Sequence, residues 1–190
     1  MKKSLSTSII AALALLVSSG LFAQSANIQA SFFSKEVVSS ILSQEGCTGL
    51  RMYPVIASSG TVVMIIGINA SGDEIYKGSS YVGKYYVFSG IINGNVNDVA
   101  LTKEQAQAFC SAYSSKNSGF VSDFTSGSIN SLLGGESAGI SIKFSTSQTN
   151  NFLASAYKKE NGAKTYGRSS PGEPCPSACG EPGQYLCFPK

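Results

Sequence analysis

The stretch TGLRMYPVIASSGTVVMIIGINASGDEIY, residues 48–76, predicts a β-hairpin. From Leu50 to Val55 its side chains alternate with the period of two that is typical of a strand. A turn, ASSG, then leads into an apolar, β-branched run at 61–68, which ends at a second turn, NASGD. Such a run predicts a strand that is buried on both faces. Because Pro54 has no N–H to donate, we expect the first strand to lie at a sheet edge there.

Three helices are predicted outside this hairpin. Ser34 is a candidate N-cap for a helix that ends near Gly46. A second helix begins at a capping box formed by Thr102 and Gln105. The segment TSQTNNFLASAYKKENG, residues 146–162, carries apolar residues at helical spacing and predicts a third helix.

Two further strands are predicted, in YVGKYYVFSGIINGN (81–95), which ends in an Asn-Gly turn, and in AGISIKFS (138–145). Residues 119–135 are rich in serine and glycine, so we expect a loop there with at most a short helix at Ile129–Leu133. Together the pattern predicts an α+β fold: a small antiparallel sheet with two or three helices packed on one side. This single domain would span residues 24–162, with a Gly/Pro/Cys-rich C-terminal tail at 163–190.

The N-terminus has the layout of a secretory signal peptide. Two lysines precede an apolar run from Ile9 to Val17 that is too short to span a bilayer, and small residues follow it. Cleavage after Ala23 is predicted, with cuts after Gly20 or near Gln24 as alternatives; a buried N-terminal helix is the other interpretation. Residues 1–23 would therefore be removed, and the mature protein would be exported to the periplasm or the exterior as a soluble protein.

The composition excludes several kinds of function. Removal of two lysines with the signal peptide lowers the formal net charge from +3 to +1, and no cluster of basic residues is present. Nucleic acid is therefore not an expected partner, because phosphate binding requires clustered lysine and arginine. The chain has no histidine, the commonest general base and metal ligand, and no tryptophan. No catalytic residue, metal site or cofactor is predicted.

The cysteines predict disulfide chemistry. Cys175, Cys179 and Cys187 lie close together in the tail, and a metal site or a redox motif there are the alternatives to a covalent crosslink. Three cysteines without histidine do not complete a zinc site, and an exported protein meets an oxidising compartment, so we expect a disulfide. Cys47 and Cys110 are the remaining pair, and a Cys47–Cys110 bond is the predicted buried bridge. The odd total of five leaves at least one cysteine unpaired or bonded to another chain.

Arg51 and Tyr53 are the candidate ligand contacts, since an arginine beside a sheet edge can bind an anion; a solvated or ion-paired arginine is the alternative. The segment at 93–104 has oxygen-bearing residues at some EF-hand positions, but Asp98 occupies the position of the turn glycine, so a capped helix after a turn is expected instead of a calcium loop. Asp73 and Glu74 would point to opposite faces of a strand, which is unsuitable for a glycosidase pair.

Two segments resemble an uncharacterised family of small bacterial proteins. FSKEVVSSILSQEGCTGLRMYPVI (33–56) and VVMIIGINASGDEI (62–75) are similar to that family's helix, its G-C-x-G-[IL]-R-x-Y segment and its apolar strand, and CPSAC (175–179) is similar to its Cys-Pro-rich tail. The resemblance implies no reaction, cofactor or catalytic residue. Export, the low charge and the absence of histidine favour a non-enzymatic binding or structural protein of the envelope, with an unknown protein or envelope component as partner. The alternative is an envelope enzyme that uses serine, tyrosine, lysine or carboxylate chemistry.

Overall fold

A computed structural model describes residues 28–75, 84–92, 95–116, 121–145, 151–159 and 163–175, with only the main chain described at 145, 163–169 and 173–175. The molecule is built mostly of β-strands, arranged in two antiparallel sheets. The α+β prediction of one small sheet with helices on one side is therefore wrong. Its helices are α1 (Lys35–Leu42), α2 (Lys103–Ser114) and α3 (Ser126–Leu132). Its strands are β1 (Ser31–Ser34), β2 (Gly49–Ala57), β3 (Gly60–Ile68), β4 (Tyr85–Ile92), β5 (Asn95–Leu101), β6 (Val121–Thr125), β7 (Gly139–Ser145), β8 (Asn151–Lys159), β9 (Ala163–Pro171) and β10 (Glu173–Cys175).

The predicted hairpin is confirmed and lies in the middle of the larger sheet. This six-stranded sheet has the order β10-β6-β2-β3-β4-β5. Strands β2 and β3 pair along their whole length, and β3 is buried on both faces from Val62 onward. On its other side β2 pairs with β6 as far as Met52 within the described residues. The register would set Pro54 opposite residue 120, which lies outside the described residues, so the edge predicted at Pro54 stays a prediction.

The smaller sheet has the order β1-β7-β8-β9 and packs on one face of the larger sheet. The Ser122 hydroxyl of β6 donates to Asn151 Oδ1 of β8 at 2.9 Å, and the rings of Phe32 and Phe88 meet across the sheets at 5.7 Å. Helix α1 covers the same face of the larger sheet, where Ile41 approaches Gly67. The buried apolar residues of both sheets form one continuous core.

The helix caps agree with the sequence prediction. The Ser34 hydroxyl accepts from the N–H of Val37 at 3.3 Å and begins α1. Thr102 and Gln105 make both bonds of the capping box that begins α2. The short helix expected at Ile129–Leu133 is observed as α3, although β6 precedes it within the segment predicted to be a loop.

The third predicted helix is wrong. Asn151–Lys159 form β8, a strand with β7 on one side and β9 on the other. Six of the nine residues of β8 are buried, and they lie on both faces of the strand. Strands β9 and β10 continue the two sheets past residue 162, the predicted domain boundary. None of the helices in the described ranges is long and apolar enough to cross a membrane.

The capping box makes a specific contribution to stability. Replacement of Thr102 by alanine removes the acceptor for the Gln105 N–H, and we expect the free energy of unfolding to fall by about 1 kcal/mol. Urea denaturation measures this change. Thr102→Ser retains the hydroxyl and should remain within a few tenths of a kcal/mol of the original protein, whereas equal losses in both variants would show that the cap is not the cause.

Candidate functional site

A buried ion pair lies on the face of the larger sheet that is turned away from the smaller sheet. Arg51 of β2 and Asp123 of β6 are directly opposite each other in the strand register. Arg51 donates from Nε to Asp123 Oδ1 at 2.8 Å and from Nη2 to Oδ2 at 2.7 Å. Arg51 has no solvent-exposed surface. Two parallel charge-assisted bonds of this kind fix the guanidinium in position.

A second polar group lies beside this ion pair. Glu74 follows the turn at the end of β3, and its two carboxylate oxygens accept one bond each, from the hydroxyls of Tyr53 and Tyr85. Both tyrosines are fully buried. The register places Tyr53 and Tyr85 on the same sheet face as Arg51, since Tyr53 is opposite Met64 and Met64 is opposite Val87. We call Arg51, Tyr53, Glu74, Tyr85 and Asp123 the polar cluster.

Two structural elements enclose the polar cluster. The turn at Asn69–Asp73 is held by the Asn69 side chain, which accepts from the N–H groups of Ser71 and Asp73 at 2.9 Å each. A Cβ on Gly72 in this turn would lie 3.7 Å from Arg51 Nη2, so the turn approaches the guanidinium closely. Helix α2 packs against β2, and the charge of Lys103 in its first turn acts on Glu74. The cluster is thus covered by protein.

The electrostatics of the cluster reflect burial and pairing. Burial acts to lower the pKa of Arg51, but the hydrogen bonds and charge of Asp123 outweigh it and raise that pKa above its ordinary value. For Glu74, in contrast, the effect of burial on the pKa outweighs that of the neighbouring groups. Burial raises its pKa above the ordinary 4.5, although the two tyrosine hydroxyls and the charge of Arg51 act in the opposite direction.

The raised pKa of Glu74 predicts a pH dependence of stability. The folded protein holds this proton more tightly than the unfolded chain does, so the free energy of unfolding falls as pH rises from about 4.5 through the raised pKa. We expect the Glu74→Gln variant to lose this part of the slope in urea denaturation measured from pH 4 to pH 8. Asp98, whose pKa burial also raises, contributes a slope of the same sign in both proteins, so only their difference reports Glu74. Identical slopes would contradict the assignment.

A cavity of about 180 Å³ lies at the end of the β4–β5 pair, beside the start of α2. Lys84, Leu101 and Gln105 line it, together with Ala100 and Thr102. Tyr85 of the polar cluster follows Lys84 directly in the chain, but the cavity lining includes no member of the cluster. The cavity therefore does not expose the cluster to a ligand in this structure.

The structure places the predicted contacts, Arg51 and Tyr53, together with two carboxylates. Sequence reasoning missed Glu74 as a partner of Tyr53. Asp73 and Glu74 follow β3 and do not lie in a strand, and Asp73 is exposed in the turn. Tyr85 and Asp123 were not singled out. No local signal could have found Asp123, because its partner is 72 residues away in the sequence.

The predicted Cys47–Cys110 bridge is wrong. Cys47 is a free thiol, whose pKa is raised by burial, and it donates to the carbonyl of Gly49 at 3.3 Å. Cys110 is buried on α2 and is disulfide-bonded, to a cysteine whose side chain lies outside the described residues. Cys179 and Cys187 also lie outside these residues, and Cys175 is described in its main chain only. A crosslink within the tail stays a prediction.

Two other sequence predictions concern residues outside the described ranges and are not tested. The predicted signal peptide, residues 1–23, and the Asn-Gly turn at 93–94 lie outside them. Within the rejected calcium segment, Asp98 lies in β5 and Glu104 in the first turn of α2, so these two acidic residues belong to different elements. In the described part of the chain no group of three or more cysteine or acidic residues could hold a metal.

Comparison with protein-family models, with curated proteins and with solved structures finds no match for this chain. The resemblance to the uncharacterised family therefore stays a prediction.

The polar cluster is best explained as a structural network. The guanidinium and both carboxylates already bind each other or a tyrosine hydroxyl, and Arg51 has no exposed surface, while the Asp123 side chain is 12% exposed. Perturbed pKa values occur both in active sites and in structural ion-pair networks. Full burial of Arg51 favours the second explanation for this cluster.

Proposed function

We propose that this is an exported bacterial protein that works without catalysis, by binding another macromolecule or surface component in the cell envelope or outside the cell. The observation that supports the proposal is the position of its exposed apolar side chains. Among the described side chains, the exposed large apolar ones are Ile91, Ile92 and Val99, and all three lie on the β4–β5 hairpin. We call these three residues the hairpin patch.

The hairpin patch is suited to a protein–protein or protein–surface contact. Ile92 is 58% exposed and Ile91 is 42% exposed, close to the end of the hairpin that is furthest from α2. The pairing of β4 and β5 shifts between Phe88 and Ile91, where Gly90 has a φ of 122°. Such a bulge bends a strand and changes the direction of the residues that follow it. Ile91 and Ile92 are adjacent in β4 and therefore lie on opposite faces of the hairpin, so its end offers an exposed apolar side chain on each face, and burying them against a partner would be favourable.

Export is the other part of the proposal, and it rests on the N-terminal sequence. The charged, apolar and small-residue segments at 1–23 have the order of a secretory signal. Disulfide-bonded Cys110 supports the proposal, because disulfides persist in oxidising compartments. An envelope enzyme is the less favoured alternative, since the buried polar cluster would first have to open to reach a substrate.

A sedimentation assay tests the binding proposal. Mature protein is mixed with envelope fragments from its own host, and the fraction that sediments with them is measured. We expect the Ile91→Ser/Ile92→Ser double variant to bind at least tenfold more weakly, since each isoleucine side chain that a partner buries contributes about 1.5–3 kcal/mol. Gln107→Ala/Ser111→Ala changes two exposed polar residues of α2 and serves as the control.

Three outcomes decide between the explanations. Loss of binding in the isoleucine variant alone supports the hairpin patch as the contact. Equal binding by all three proteins would show that another surface is used. If the original protein does not sediment with any envelope fraction, the proposed envelope partner is wrong.

A further inference from the structure

The two sheets have four edge strands, and three of these carry features that discourage pairing with another chain. In the larger sheet β10 is three residues long and has Pro174 at its centre. In the smaller sheet β1 has four residues, while β9 contains Lys164, Arg168 and Pro171 and a shift in its register with β8. Short length, proline, charge and bulges are the usual means by which proteins protect a sheet edge.

Strand β5, the fourth edge, lacks these features. It extends over seven residues, NVNDVAL, without lysine, arginine or proline. The register shift in its pairing with β4 adds the extra residue to β4, between Phe88 and Ile91, and not to β5. No described strand pairs with the outer side of β5. Because an unpaired strand presents a row of N–H and C=O groups, β5 is the edge most suited to the addition of another strand.

Both faces of β5 are open to solvent near Val99. Val99 is 37% exposed and its neighbour Ala100 is also exposed, and consecutive strand residues point to opposite faces. Asp98 is the one charged residue of the strand, and its Oδ2 already accepts from the Ser34 N–H of β1 at 3.0 Å. A strand that approaches β5 here therefore meets two apolar side chains, while the carboxylate is directed at the smaller sheet.

We propose that β5 pairs with β5 of a second copy of this chain, antiparallel, with Val99 opposite the same residue of the second copy. The two larger sheets then join into one sheet across a twofold axis. In such a dimer the same surface serves both copies, so it must be compatible with itself. The uncharged residues on either side of Asp98 meet this requirement, since they do not repel their own copies.

The register of this pairing follows from Asp98. Pairing about Val99 sets Asp98 opposite Ala100 of the other copy. Pairing about Asp98 would set two carboxylates opposite each other, which is unfavourable. Pairing about Asn97 would leave the exposed Ala100 opposite a residue outside β5. The register about Val99 also covers both copies of this exposed side chain.

The size of the contact sets its expected strength. Residues 97–101 of each copy would pair, which is a small interface, so we expect a dissociation constant on the order of 10⁻⁵ M. The protein should then be mostly monomeric at about 1 µM and mostly dimeric at about 100 µM.

This contact goes beyond the proposed envelope binding and does not depend on it. Ile91 and Ile92 lie on β4, one strand away from the pairing edge. We therefore expect Ile91→Ser/Ile92→Ser to dimerise like the original protein, even where it loses the envelope partner. A double variant that no longer dimerises would contradict pairing through β5.

Sedimentation velocity of the mature protein, from about 1 to about 100 µM, tests the proposal. Val99→Lys and Val99→Glu each set like charges opposite each other at the axis, and each should weaken dimerisation about tenfold or more. An equal mixture of the two variants should regain dimers, because opposite charges then face each other. Gln107→Lys changes an exposed residue of α2 by the same charge and should dimerise like the original protein.

Each result supports or overturns the pairing. Monomers at every concentration overturn it, as does unchanged dimerisation by Val99→Lys. A mixture that stays monomeric contradicts the register about Val99. If the charged variants fail to fold, hydrogen exchange of the original protein decides instead. Amides within residues 97–101 should exchange more slowly at the high concentration than at the low one, and exchange that is independent of concentration overturns the proposal.

Discussion

Replacement of Asp123 by alanine is expected to lower the free energy of unfolding by about 3–5 kcal/mol. The reason is that Arg51 keeps its charge, since its pKa is raised and it has no exposed surface. Without Asp123 the guanidinium loses both of its bonds to that carboxylate, at 2.8 and 2.7 Å, while Arg51 itself has no exposed surface. Urea denaturation measures the loss. A loss of this size is a large fraction of the free energy of unfolding of a typical domain.

A double-mutant cycle shows whether pairing causes this effect. We expect Arg51→Met/Asp123→Leu to be closer in stability to the original protein than Asp123→Leu alone is, and less destabilised than the sum of Arg51→Met and Asp123→Leu, because no charge then remains buried without a partner. Thr61→Ser, a conservative change at the start of β3, is the control that shows how strongly any substitution in the central strands affects stability. Additive losses in the cycle would mean that Arg51 and Asp123 stabilise the fold independently, and the network explanation of the polar cluster would be wrong.

Removal of the Cys110 disulfide is expected to cost about 4 kcal/mol. The register of β10 with β6 places Cys175 opposite Val121 in the larger sheet, and α2 packs against β2 of the same sheet. Cys110 lies on the buried side of α2, and Cys47 is a free thiol. We therefore predict a Cys110–Cys175 bond. Opening a loop of roughly 65 residues gives the stated loss on the chain-entropy model.

Peptide mass spectrometry without reduction, with thermal melts of serine variants, tests this pairing. Cys110→Ser and Cys175→Ser should destabilise the protein to the same extent, and the double variant should be no worse than either one. Cys47→Ser is the control and should change stability by less than about 1 kcal/mol. A Cys110 peptide linked to Cys179 or Cys187 would overturn the assignment, while destabilisation by Cys110→Ser would still be expected.

The central part of the fold could be predicted because its signals are local. The turn ASSG and the caps at Ser34 and Thr102 depend on residues close together in the sequence. They are observed in the structure because each depends on local backbone hydrogen bonds, which tertiary contacts leave in place.

The strand β8 could not be predicted in the same way. Its inner position buries Ala154 and Ser155 on opposite faces, so the alternation that identifies a half-exposed strand is missing. Phe152, Ala156 and Tyr157 by chance repeat at helical spacing. Strand β9 has few apolar residues, so its sequence predicts part of a tail, although its pairing with β8 makes it the edge of the smaller sheet.

The site shows the same division between local and distant information. Arg51 and Tyr53 were singled out because an arginine at a predicted sheet edge can bind an anion. Their partners, Asp123 and Glu74, depend on the order of the strands and on the path of a turn, which the sequence does not reveal. The anion that binds Arg51 proved to be a carboxylate of the same chain.

Site-specific photo-cross-linking in living cells tests most directly the claim that the hairpin patch binds an envelope partner. A photoreactive amino acid is placed at position 92, or at the exposed control position 107 on α2, in the full precursor chain. We expect position 92 to form a discrete adduct with an envelope component and position 107 to form none. Equal labelling at both positions, or no adduct at position 92 in exported protein, would contradict the claim.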